Sequence, residues 1–107
     1  MTSSLTEGLS LATISQFKLL QQRFIIGLPA RWQEIDNATS PEFLQAALHR
    51  LAGSAGSYGF DKLSELARQA EALTTEQLTA NLAQALLALK NELMLIQSAN
   101  TGLSDLT

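Results

Sequence analysis

Apolar residues recur along this chain at steps of three and four, the spacing that gathers them on one face of an α-helix. From Thr13 onward Phe17, Leu20, Phe24, Leu28, Trp32 and Ile35 form one such stripe, which predicts a helix over about 13–37. Gly27 and Pro29 interrupt it. The proline lacks a backbone donor, so it kinks this helix near Ile25 or splits it in two. Asn37 to Ser40 reads as a turn. Ser40-Pro41 is a helix start, with Ser40 as N-cap and Pro41 at the first helical position. Leu44, Leu48, Leu51, Ala55 and Tyr58 follow in a bundle-like seam, predicting a helix over about 41–57. Tyr58-Gly59-Phe60 turns the chain. Leu63, Leu66, Ala67, Ala70 and Leu73 then mark a third helix over about 61–73. Thr74 to Gln77 fits a capping box with Thr74 as cap. It opens a last helix over about 75–99, with Leu78, Leu82, Leu86, Leu89, Leu93 and Ile96 inward. Residues 1 to about 10 read as a loose tail or a short extra N-terminal helix, and the tail after Asn100 has no periodicity.

No alternating, strand-like run competes with these helices. Short loops make sequential helices antiparallel neighbours, so the expected fold is all-α, an antiparallel up-down-up-down four-helix bundle. The 107 residues suffice for one modest core, and a single domain over 1–107 is expected. The absence of cysteine excludes disulfides and cysteine-bound zinc. A net charge of -3 argues against a nucleic-acid binder, which would show a basic stripe. No apolar run reaches the ~18 residues of a membrane span, and no basic segment precedes an apolar one as in a signal peptide. The expected location is cytoplasmic.

The chemically distinctive helix is the second. His49 follows Leu48 and is turned about 100° from it, toward solvent. Gln45, Ala46, Ala52 and Gly53 lie three or four positions away and share its face, with Gly56 and Ser57 a turn further on. Each glycine within a helix costs roughly 1 kcal/mol relative to alanine, so stability alone does not choose them. They flatten the surface beside the histidine, or else they pack the helix or end it. If the second and third helices form a hairpin turning at Tyr58-Gly59-Phe60, His49 and Glu71 are equidistant from Phe60 and come opposite each other. A carboxylate there would hold the proton on one ring nitrogen and leave the other as a nucleophile. The spacing equally allows a solvated Glu71, one paired with Arg68 or Lys90, or a register shifted by a residue or two.

The stretch His49 to Glu71, HRLAGSAGSYGFDKLSELARQAE, resembles the signature of the histidine-containing phosphotransfer (HPt) domain family. His49 stands where that family carries its phosphorylated histidine. Gly53, Gly59, Leu63, Leu66, Ala67 and Glu71 stand at the family's glycine, leucine, small-residue and Glu/Gln positions. Upstream, FIIGLPAR from Phe24 to Arg31 is similar to a Phe-x-x-x-Leu-Pro element on the preceding helix. The resemblance spans roughly residues 13–97. It departs at Ala52, where many members have a lysine taken to help position the phosphoryl group. Arg50, Lys62 and Arg68 are candidates to replace it.

The resemblance implies a phosphoryl carrier. His49 would accept the group from a receiver-domain aspartate or a histidine kinase and pass it to a second receiver, with Glu71 orienting the imidazole. Gln45, Ala46, Arg50, Ala52, Gly53, Gly56 and Ser57 would flank the docking partner, with Ile25 or Ile26 adding an apolar patch. The implied partners are response-regulator receiver domains and a sensor or hybrid kinase, with no nucleic acid and no membrane, and the carrier is expected to be a monomer. No cofactor is expected of the chain itself, because the receiver would bring Mg²⁺. No metal site is expected either, since His49 has no carboxylate at helical spacing. No phosphate-binding glycine loop is present, so ATP-dependent kinase activity is not expected. The alternative is a helical interaction module that has lost the chemistry.

Overall fold

The computed structural model describes the backbone of residues 2–75 and 79–106, and the side chains of residues 13–75 and 80–100. Five helical segments make up these residues: α1 Thr2–Ile26, α2 Leu28–Asp36, α3 Pro41–Ser57, α4 Asp61–Thr74 and α5 Thr79–Leu106. The long first helix of the sequence reading is therefore split rather than kinked. Pro29 lies in the first turn of α2, where a missing N–H goes unnoticed, and Gly27 is the junction. The Gly27 N–H still donates to the carbonyls of Arg23 and Phe24, so the two segments nearly continue one another.

Both ends of the chain depart from expectation. α1 starts at Thr2, not near Thr13, and α5 runs to Leu106, past Ala99. No proline stands in either end stretch, and a glycine such as Gly8 or Gly102 costs a helix only about 1 kcal/mol. The proposed capping box is not what Thr74 serves. Thr74 ends α4, and its hydroxyl donates to the Glu71 carbonyl at 2.6 Å. Glu76, Gln77 and Leu78 lie outside the described residues.

α3 and α4 form the tightest pair, with α4 also against α5, and α2 against α3 and α5. Their antiparallel sense is visible in three cross-links. His49 meets Glu71, Ser64 meets the Ala52 carbonyl, and Lys62 meets Glu92 at 3.5 Å. The core is Leu28, Ile35, Leu48, Leu51, Ala55, Leu63, Ala67, Ala70, Leu89 and Leu93, closed by Phe24. Phe17 and Leu20, expected inside, are 37% and 42% exposed. α1 packs against α5 and α2 rather than along α3 or α4, and Phe17 reaches only the turn after α3, with its ring 6.5 Å from that of Tyr58. Ile25 joins the core periphery, so of the suggested apolar pair only Ile26 faces solvent. Among the described residues no helix is long and apolar enough to cross a membrane.

The turn between α3 and α4 fixes the register. Gly59 has φ +85°, the left-handed conformation that closes a helix C-terminus. The Phe60 N–H returns to the Ala55 carbonyl at 2.8 Å, and the Gly59 N–H to that of Gly56 at 3.2 Å. This pair of bonds is the Schellman motif. At the other end of α3, the Ser40 Oγ accepts from the Phe43 N–H at 3.2 Å, as its N-cap role requires.

Candidate functional site

α3 buries Ala47, Leu48, Leu51, Ala52 and Ala55 and turns His49 outward. The His49 side chain is 76% exposed, and its Nδ1 lies 2.9 Å from Oε1 of Glu71, which is 22% exposed. An ionised carboxylate can only accept, so Nδ1–H is the donor and Nε2 is left without a proton in the neutral ring. The register set at Gly59 brings these two side chains together across α3 and α4, and neither Arg68 nor Lys90 takes Glu71. The Lys90 ammonium instead lies over the Trp32 ring, 5.8 Å from its centroid.

The neighbours of His49 divide by their azimuth around α3. A step of three residues falls about 60° to one side of the imidazole, and a step of four about 40° to the other. Ala52 lands on the α4 side and is 3% exposed. Its carbonyl accepts from the buried Ser64 hydroxyl at 2.8 Å. Ala52 is thus a packing residue, and its expected place on the docking face is wrong. Gln45 is half-buried, while Ala46, Arg50, Gly53, Gly56 and Ser57 are exposed. Arg50 is ion-paired with Glu34 of α2. The Ser57 hydroxyl donates back to the Gly53 carbonyl at 2.9 Å.

The two glycines have different reasons. A Cβ on Gly56 would come within 3.2 Å of the Ser64 Oγ, so this glycine lets α4 approach α3. A Cβ on Gly53 would meet nothing within 4 Å. No internal contact requires Gly53, and it leaves open space one turn from His49. Gly53→Ala is therefore expected to stabilise the fold by up to about 1 kcal/mol, raising Tm by roughly 4–8 °C. Gly56→Ala should gain less or nothing, and thermal melts followed by circular dichroism separate the two.

Two features escaped the sequence reading. Ser64 is a buried polar residue whose single bond ties α4 to α3, and its only sequence signal is a hydroxyl beside the apolar stripe of α4. Arg31 of α2 lines one groove with His49, Arg50, Gly53, Ser54, Ser57 and Tyr58, and the sequence carries no signal for that. Among the described residues no group of three or more His, Asp or Glu side chains is placed to hold a metal ion.

No curated protein and no solved structure matches the chain. The family model of the Hpt domain matches residues 19–99, from the second half of α1 through most of α5, with the whole His49–Glu71 hairpin inside it. The chain belongs to the Hpt domain family, a group of phosphotransfer carrier modules that work with histidine kinases and receiver domains in phosphorelays.

Proposed function

We propose that His49 carries the phosphoryl group in this chain, accepting it from a receiver aspartate or a kinase and delivering it to a second receiver. The observation that carries this reading is the exposed imidazole held through Nδ1 at 2.9 Å by Glu71. In the transfer, the Nε2 lone pair attacks the phosphorus of the aspartyl phosphate. The P–O bond to the carboxylate breaks, and the aspartate leaves with its electron pair. The ring becomes an N-phosphoimidazolium whose Nδ1–H stays on Glu71, where the adjacent negative charge offsets the positive charge gained. Delivery to the next aspartate is the same step reversed. The transition state also needs in-line geometry and a cation on the phosphoryl oxygens, and the receiver's Mg²⁺ supplies the latter. Exposed Ala46, Gly53, Gly56 and Ser57, with half-buried Gln45 at the edge, form the surface against which a receiver would close. The cytoplasm is the compartment in which such a relay would run.

The test is transfer from a panel of phosphorylated receiver domains, with the label followed through acid and base. Acid-labile, base-stable label on the chain is expected, since a phosphoramidate hydrolyses in acid. No label from any donor, together with retained receiver binding, would favour an interaction module instead. Glu71→Ala leaves the ring free to rotate and removes the acceptor for Nδ1–H. Its transfer rate is expected to fall about tenfold, or some 1.4 kcal/mol of barrier. Glu71→Gln keeps an acceptor oxygen and should fall less. Single-turnover transfer from one phosphorylated receiver measures both.

A further inference from the structure

The groove on the α2 side of His49 holds two guanidinium groups, and they are not equivalent. Arg50 is neutralised by its ion pair with Glu34. Arg31 lies with its guanidinium carbon 5.3 Å from the centroid of the Phe24 ring, and among the described residues no carboxylate pairs with it. Phe24 is itself held against Tyr58 and Phe60, with ring centroids 5.3 and 5.4 Å away. The cation is thus seated on a fixed aromatic platform at the turn that sets the α3–α4 register. Stacking of this kind orients a guanidinium while leaving its N–H edge free for an anion. Arg31 shares the groove with His49 and with the open space beside Gly53.

We infer that Arg31 binds the phosphoryl oxygens carried on His49, supplying from α2 a cation that α3 lacks at the buried Ala52. This assignment rests on His49 being the phosphorylated residue. Arg68 is the obvious competitor, but its hollow is lined by Asp61 and Glu65 and does not include His49. A dianionic phosphoryl group would meet two carboxylates there. The charged groups facing this region are Arg31 and the Glu34–Arg50 pair on the α2 side, and Glu71 with Arg68 one turn before it on the α4 side, and of the cations Arg31 and Arg50 line the groove that holds His49. Of the two in that groove, Arg31 is the one without an ion pair among the described residues.

The experiment uses phosphoramidate as a donor, so that no receiver protein contributes its own charges. Nε2 of His49 attacks the phosphorus, the donor's P–N bond breaks, and ammonia leaves with the electron pair. Wild type, Arg31→Gln, Arg31→Lys and Arg68→Gln are compared for rate of uptake, with folding checked by circular dichroism. The phosphoryl signal of each is then titrated by ³¹P NMR. Arg31→Gln is expected to be about tenfold slower, with Arg31→Lys largely restored and Arg68→Gln unchanged. The second ionisation of the bound phosphoryl group should move up by about half a pH unit in Arg31→Gln, because a nearby cation favours the dianion. A merely structural role would slow uptake without moving that titration, so slow uptake with an unmoved titration overturns the assignment. Equal rates and titrations in wild type and Arg31→Gln do so as well, while leaving His49 as the carrier. If wild type takes up no phosphoryl group from phosphoramidate or from any phosphorylated receiver, the phosphorelay reading and the Arg31 assignment fall together.

Discussion

His49→Gln is expected to take up no phosphoryl group from any donor, a loss of at least about a thousandfold, while its melting curve overlays that of wild type. The chain has one histidine and no cysteine, so no second side chain of comparable nucleophilicity can take over. A glutamine amide nitrogen has no available lone pair. The structural side of the prediction follows from exposure. The imidazole is 76% in solvent and among the described residues its polar contact is with Glu71, an interaction between surface groups that contributes little to folding. The glutamine NH₂ can also donate toward that carboxylate. Transfer assays and thermal melts on the same preparation check both halves. A variant that still acquires acid-labile label would remove His49 from the mechanism.

Leu48→Ala, one residue away, should do the opposite. Leu48 is 0% exposed and among the largest fully buried side chains. Truncating such a leucine removes its transfer free energy and leaves a cavity that relaxes only partly, a loss of about 2–5 kcal/mol. Against a total stability of about 5–15 kcal/mol, that should lower Tm by at least about 10 °C. The folded fraction that remains at low temperature should still accept the phosphoryl group at the wild-type rate. Leu48 points into the core and His49 away from it. Thermal melts and uptake per folded molecule at about 10 °C test the separation. Uptake lost in step with nothing but His49 geometry would mean that the core face and the reactive face of α3 are coupled.

The contrast between these neighbours also explains what could be read from the chain before its structure. α3 was legible almost to the residue, because Ser40-Pro41 and Gly59 punctuate it and its leucines keep strict spacing. The pairing of His49 with Glu71 was legible too. A short turn leaves an antiparallel hairpin little freedom, so equal distances from Phe60 become contacts. Ala52 is misplaced by spacing alone, which gives residues three and four apart a single face. The boundary between buried and exposed runs between those two azimuths. The ends of α1 and α5 were cut short because weak periodicity does not prevent a helix once no proline stops it. Arg31 was invisible for a different reason. How α2 is rotated about its axis relative to α3 depends on the packing of Phe24, Leu28 and Ile35 together, and no local pattern encodes it.

The cross-links between α3 and α4 lie within one stretch of chain. His49 and Glu71 are 22 residues apart, and the Ser64 bond to Ala52 spans 12. Contacts of such short separation close quickly, since little chain entropy is lost in bringing their ends together. The pairing of imidazole and carboxylate is thus set by chain closure around Gly59, a turn that α1 braces through the Gln21 Nε2–H bond to the Tyr58 carbonyl at 2.7 Å. Damage to α1 near Gln21 and Phe24 would then be felt as a weaker turn, while the spacing between imidazole and carboxylate survives in every molecule in which that turn has closed.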